Sequence, residues 1–83
     1  SIYSGIAYAE KGDLIQIRYP NSAFHHTYIV VDVTGTAGSR TKSDIWISSH
    51  TTDRENCLLS IAASSFSTSD MRTIRILGEY LVD

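Results

Sequence analysis

The sequence predicts a mainly β domain: a small antiparallel sheet or partial barrel of four to five strands, with one short helix. Short runs of β-branched and aromatic residues alternate with polar residues at a period of two. Turn-forming residues separate these runs, and no long helix is indicated anywhere. The chain has 83 residues, so we expect a single domain over residues 1–83 with a small core.

The first predicted strand follows a turn. Residues 11–13 (Lys-Gly-Asp) are typical of a turn, and Leu14–Tyr19 then alternates until Pro20, which cannot donate to a sheet ladder. Residues 1–9 fit either the end of a helix or a strand that enters the sheet. The next run, His26–Val33, is nearly continuous in apolar residues, so we expect a central strand buried on both faces.

The remaining strands flank the one helical segment. A polar connection over residues 34–43 contains glycine and leads into the third strand, Asp44–His50. Residues 51–56 favour turns and helix caps. Cys57–Phe66 has apolar residues compatible with one or two turns of helix, and Met71–Leu77 alternates cleanly as a last strand.

Charge and hydropathy exclude several classes of function. The net charge is −2, the pI is near 5.8 and the arginines are scattered, so we expect no nucleic-acid partner. No apolar stretch approaches the length of a membrane span, and the first residues do not resemble a signal peptide. The single cysteine, Cys57, excludes an intrachain disulfide. The chain begins with Ser1 and not methionine, so we expect a fragment or a processed piece of a longer protein.

Two histidines lie at the ends of predicted strands. If the connection between the second and third strands closes with Val33 opposite Asp44, the two residue numbers of each cross-strand pair sum to about 77. His50 is then a neighbour of the residue opposite His26, and a bulge would place both imidazoles on one face, roughly 5 Å apart at Cβ. One imidazole can act as a base while the other fixes its tautomer. Polar residues at strand ends are also common without any catalytic role.

Alternation assigns the neighbours of this pair to faces. Tyr28, Ser48 and Trp46 are expected on the face of His26. His25 is expected on the opposite face, as a surface or packing residue, because successive side chains of a strand alternate.

A metal site is a further interpretation of the same residues. His26, His50 and Asp53 would provide two nitrogens and one oxygen, a plausible zinc set. Their spacing matches no strong zinc motif, so we expect no metal and no other cofactor.

Four short motifs, in this order and at these spacings, resemble the C-terminal half of the putative amidase domain family. They are residues 12–16 (Gly-Asp-Leu-Ile-Gln), 26–30 (His-Thr-Tyr-Ile-Val), 49–53 (Ser-His-Thr-Thr-Asp) and 72–76 (Arg-Thr-Ile-Arg-Ile). The resemblance runs from about Lys11 to Tyr80. It implies a papain-like cysteine hydrolase, similar in layout to the cell-wall NlpC and CHAP enzymes, with an α+β fold in the complete parent domain.

The family layout implies roles for individual residues. A helix carries the cysteine nucleophile and precedes the glycine–aspartate strand, and the sheet supplies the base and a polar orienting group. By this resemblance His26 is the base and His50 is the orienting group, with Asp53 as a substitute for that role. Gly12 and Asp13 match the turn that begins the first core strand, which is a structural role.

The chain departs from the family pattern at the nucleophile. No cysteine precedes Lys11, and Cys57 follows both histidines, so we expect Cys57 to be a small hydrophobic residue in the core or a loop. The chain is therefore expected to be inactive by itself and to need a missing N-terminal, cysteine-bearing half as its partner. Whether it counts as an enzyme stays open.

The resemblance implies a peptide or peptidoglycan-like substrate and an extracellular or cell-wall location in a bacterium. The alternative is a non-catalytic binding module of the same fold. In it Trp46, Tyr28 and Tyr19 would line a groove for a peptide or glycan.

Overall fold

The computed structural model describes residues 2–48 and 56–76. Within these residues the molecule is mainly β, with one antiparallel sheet and one short helix, so the predicted fold class is confirmed. The strands are β1 (Ile2–Ser4), β2 (Leu14–Arg18), β3 (Phe24–Val33), β4 (Ile45–Ser48), β5 (Cys57–Leu58) and β6 (Met71–Arg75), and the helix is α1 (Leu59–Ala62). Their order in the sheet is β1-β6-β2-β3-β4-β5, so β1 and β5 are the edges of an open sheet in the described part of the chain.

The four longer strands are those that the period of two predicts. Two further strands lie at the edges: β1 pairs with β6, and β5 pairs with β4. The first segment of the chain thus forms a strand, followed by a turn of 3-10 helix over Ile6–Tyr8. The helix predicted within Cys57–Phe66 forms one turn only, because Cys57 and Leu58, the first two residues of that segment, belong to β5.

One face of the sheet carries the hydrophobic core. We call it the core face and define it by Ile15, Ile17, Val30, Ile45 and Ile47, each at most 1% exposed. Leu59 and Ala63, in and just after α1, cover part of this face. Burying each isoleucine stabilises the fold by about 1.5–3 kcal/mol. The opposite face is called the outer face.

β3 lies at the centre of the sheet, but the prediction that both of its faces are buried is wrong. Val30 is the one fully buried residue of this strand, while His25, His26 and Thr27 are exposed. The apolar run of β3 does not mean that both faces of the strand are buried. The helix that covers the sheet is a single turn, and its main contacts with strands are with β4 and β5.

The turn before β2 has the structural role expected of it. Gly12 adopts a φ of 94°, a conformation that glycine tolerates best. The buried carboxylate of Asp13 accepts hydrogen bonds from the Glu10 amide at 2.8 Å and from the Arg75 guanidinium at 3.1 and 2.9 Å. These bonds to Asp13 raise the pKa of Arg75. The ion pair of Asp13 and Arg75 joins the start of β2 to the end of β6.

Lys42 fixes the chain that follows α1. Its ammonium donates to the carbonyl oxygens of Ala63, Ser64 and Phe66, at 3.2, 3.4 and 2.9 Å. One lysine therefore satisfies three carbonyls at the end of a very short helix. This contact also sets the position of Phe66, which packs against the edge of the core.

Candidate active site

His26 lies on the core face of β3 and is exposed to solvent. Its partner across the β2–β3 ladder is Ile17, which is 1% exposed and belongs to the core. Tyr28, two residues further along, pairs with the buried Ile15 and lies on the same face. The imidazole is thus held beside the core without being enclosed by it.

A bulge brings a second histidine to this face. Ile17 pairs with His26 and Arg18 pairs with Phe24, so His25 is an extra residue in β3. The expectation that His25 points to the opposite face is wrong: the rings of His25 and His26 meet with their centroids 4.4 Å apart. Two consecutive side chains share a face because the bulge interrupts the alternation.

The two imidazoles belong to a row of rings, which we call the imidazole–aromatic cluster. Tyr19 stacks on His25 at 4.7 Å with an interplanar angle of 16°, and Tyr28 stacks on His26 at 6.5 Å, also at 16°. Phe66 contacts Tyr19 at 5.3 Å. Within the described residues no side-chain hydrogen bond reaches the His26 imidazole, so ring packing sets its orientation there.

An exposed imidazole in this position can take a proton from a thiol and pass it to a leaving amine. The ring nitrogens of His26 are within reach of a group that approaches the core face from solvent. Sequence reasoning identified His26 and Tyr28, but it missed His25 and Phe66 as members of the same cluster. The doublet His25-His26 after the Pro20-containing turn was the one available signal of an irregular strand.

The other two predicted site residues, His50 and Asp53, lie outside the described residues. The pairing on which the His50 prediction rests is confirmed at the end of β4 only. At its start Val33 pairs with Ile45 and not with Asp44, because Val31 is an extra residue in β3. Ile29 pairs with Ser48 and Val30 pairs with Ile47, and in both pairs the residue numbers sum to 77.

Trp46 and Ser48 lie on the outer face, so the prediction that they share the face of His26 is wrong. Ile47 pairs with the buried Val30 on the core face, and alternation then turns both of its neighbours outward. A groove formed jointly by Trp46 and Tyr28 is therefore excluded.

Cys57 is half-buried and packs against the core, as predicted. It pairs with Ile47 on β4, which in turn pairs with Val30. His26 is separated from Cys57 by two strand spacings and by the length of β3 between His26 and Val30. At about 3.4 Å per residue along the strand and about 4.8 Å per strand across the sheet, the two Cα atoms are about 17 Å apart. Cys57 is too far from His26 to act as its nucleophile.

Over residues 2–48 and 56–76 no group of three or more histidine, cysteine, aspartate or glutamate side chains could hold a metal ion. The zinc set of His26, His50 and Asp53 includes two residues outside those ranges. In the same part of the chain no helix is long and apolar enough to span a membrane.

Comparison with protein families places the chain in a family. A family model described as a putative amidase domain matches residues 1–74, which include every described strand apart from the last residue of β6. The match begins ten residues before the resemblance seen in the four motifs. No curated protein and no solved structure matches the chain.

Proposed function

This chain belongs to the putative amidase domain family, and from that premise we propose that it is the C-terminal, sheet half of a papain-like cysteine amidase or peptidase. The observation that supports the proposal is the position of His26, exposed on the core face and packed between two rings. A base in an amide hydrolase must be reachable by both the nucleophile and the leaving group.

The proposed reaction is thiol-dependent hydrolysis of an amide bond. A cysteine on a helix in the missing N-terminal half gives its proton to His26, and the thiolate attacks the carbonyl carbon. The C–N bond breaks as His26 passes that proton to the leaving amine. Water then hydrolyses the thioester, releasing the carboxylic acid and restoring the thiol. His50 orients the His26 ring, with Asp53 as the substitute for that role.

The nucleophile has to come from outside residues 1–83. Cys57 is the chain's single cysteine, and strand spacings put its Cα about 17 Å from that of His26, far beyond the contact that proton transfer between thiol and imidazole requires. Supplied by a helix, the cysteine would approach the core face, where His26 is exposed. By itself the 83-residue chain is then inactive.

We further propose a cell-wall peptide as the substrate and an extracellular or cell-wall location in a bacterium. Both follow from the resemblance to cell-wall hydrolases. The net charge of −2 agrees with a substrate other than nucleic acid.

The test uses the protein with its encoded upstream segment and follows amine release from peptidoglycan and from N-acyl dipeptide amides. His26→Ala is expected to lower kcat/KM by about 10²–10⁴-fold, the usual contribution of a general acid–base group. Thr27→Ala is the matched control: Thr27 is the next residue, is also exposed, and pairs with Gln16 on the outer face. It should change kcat/KM by less than about 2-fold.

Two results would contradict the proposal. One is a His26→Ala variant as active as the Thr27→Ala control, which would remove His26 from the reaction. The other is amide hydrolysis by the 83-residue chain alone, which would show that no external cysteine is needed.

The alternative function, a non-catalytic module that binds a peptide, is favoured by one observation. Tyr19 is 57% exposed although it stacks on His25 and contacts Phe66. An exposed stacked ring is a common anchor for a ligand. Saturable binding of peptide without turnover in the protein with its upstream segment, lost in Tyr19→Ala, would support this function over hydrolysis.

A further inference from the structure

A second bulge in β3 forms a pocket on the outer face. Val30 pairs with Ile47 and Asp32 pairs with Trp46, so Val31 is an extra residue. Val31 and Asp32 both lie beside Trp46, and together with Asn56 they line an open pocket of about 310 Å³. We propose that this pocket binds a neutral pyranose ring of a glycan.

Trp46 supplies the surface on which a sugar would stack. Its side chain is half-buried on the outer face and lines the pocket together with the half-buried Val31. The axial C–H groups of a pyranose carry partial positive charge and pack against the negative face of an indole ring. An indole anchored on a strand provides this surface at little conformational cost.

Two polar side chains supply hydrogen bonds to sugar hydroxyls. One carboxylate oxygen of Asp32 accepts from the Val33 amide at 2.9 Å, which orients the side chain. The second oxygen has no partner within the described residues and can accept from a hydroxyl. Asn56, held with a φ of 54°, adds an amide with both donor and acceptor capacity.

The lining distinguishes between classes of ligand. Among the described residues of the lining, Asp32 carries the one charge, and this charge repels an anion. A quaternary cation is usually recognised by a cage of several aromatic rings, and the described part of this lining contains one aromatic residue, Trp46. A neutral ring with several hydroxyls fits one flat surface and two hydrogen-bonding groups. The volume suits a single sugar unit.

The pocket is independent of the amidase proposal. It lies on the outer face, whereas His26 lies on the core face of the same strand. The chain contains a single tryptophan, so its fluorescence reports on this pocket alone.

The experiment titrates the 83-residue chain with cellobiose and with di-N-acetylchitobiose while tryptophan emission is recorded. Saturation with a dissociation constant on the order of 1 mM is expected for a single stacked ring. Asp32→Ala and Asn56→Gly should each weaken binding about 10-fold, the loss expected for one hydrogen bond. Glycine accepts the positive φ of residue 56, so this variant removes the amide without straining the backbone.

Two control variants test whether the change in emission arises from sugar bound in this pocket. Ile61→Ala, at an exposed position of α1 outside both proposed sites, should leave the sugar titration unchanged. Asp32→Asn removes the charge but keeps the acceptor oxygen, so it should bind sugar within about 3-fold of the parent.

Three results would overturn the proposal. The first is no saturable change at about ten times the expected dissociation constant. The second is a change that persists unaltered in Asp32→Ala and Asn56→Gly. The third is a response to tetramethylammonium chloride but not to the disaccharides, abolished in Asp32→Asn, which would assign the pocket to a cation.

Discussion

The two ends of β3 use the same irregularity to build surfaces on opposite faces. Near the start of the strand, the bulge at His25 adds a ring to the core face, beside His26. Near its end, the bulge at Val31 widens the outer face, beside Trp46. In each case the extra residue lies on the same face as the residue that follows it. The face of that following residue therefore decides which side of the sheet gains a side chain.

The regular segment between the bulges supports both surfaces. Val30, the buried residue of β3, pairs with Ile47 on one side. On the other side its amide donates to the Asp13 carbonyl at 2.8 Å, and its carbonyl accepts from the Gly12 amide at 2.9 Å. The candidate active site and the proposed sugar site therefore depend on one short stretch of paired backbone and core.

The largest expected effect comes from damage to this shared segment. Ile47 is fully buried opposite Val30, so Ile47→Ala removes packing that both surfaces need. We expect the free energy of unfolding to fall by about 2–5 kcal/mol, as for other buried isoleucines. Urea denaturation followed by circular dichroism measures this change.

A matched control lies on α1. Ile61 is 62% exposed, so Ile61→Ala should cost less than about 0.5 kcal/mol. If Ile47→Ala lost no more stability than Ile61→Ala, or lost one surface and kept the other, the shared segment would not be the common support.

A smaller and more selective effect is expected from removing the bulges one at a time. Deletion of His25 leaves Ile17 opposite His26 and Arg18 opposite Phe24, so no other side chain changes face. Deletion of Val31 likewise preserves the pairs on either side of it. Each deletion should cost about 1 kcal/mol, because a regular ladder replaces an irregular one while few buried contacts are lost.

The deletions should separate the two surfaces. Without His25, the stack on Tyr19 is lost while the emission of Trp46 stays the same. Without Val31, sugar binding is lost while carbethoxylation of His26 by diethyl pyrocarbonate proceeds at the parent rate in a background lacking the other two histidines. Cross effects, such as a changed Trp46 emission after deletion of His25, would show that the bulges are coupled.

The sequence was sufficient to predict the longer strands and the pairing of two of them, β3 and β4. The period of two in Leu14–Tyr19 and Met71–Leu77 marks strands that the structure contains, and the pairing of His26–Val33 with the following strand has the predicted register at Val30 and Ile47. Alternation is a local property of the chain, so it can be read without knowledge of tertiary contacts.

The bulges could not be predicted in the same way. Alternation assumes one residue per position in each strand, and an extra residue reverses the assignment of its neighbours. The assignment of His25 to the opposite face is wrong for this reason. Phe66 reaches the cluster from a turn held by Lys42, a contact between distant parts of the chain that no local pattern records.

The smallest expected effect concerns pH and the connection that follows the Val31 bulge. The carboxylate of Asp44 accepts hydrogen bonds from the Thr41 amide at 2.9 Å, from the Thr34 hydroxyl at 3.0 Å and from the Thr41 hydroxyl at 3.1 Å. These bonds, the one from the Thr41 amide foremost, lower the pKa of Asp44 below its ordinary value of 3.8. The stabilisation they provide is present above that value and is lost as the pH falls through the lower folded pKa.

Asp44→Asn should therefore be less stable than the parent near neutral pH, and the difference should shrink as the pH falls below 3.8, the ordinary pKa of this carboxyl. Thermal unfolding of both proteins over this range measures the difference. The loss should be confined to the connection between β3 and β4, near the Trp46 pocket, and leave the imidazole–aromatic cluster unaffected. A difference that stayed constant with pH would mean that Asp44 acts through shape and not through its charge.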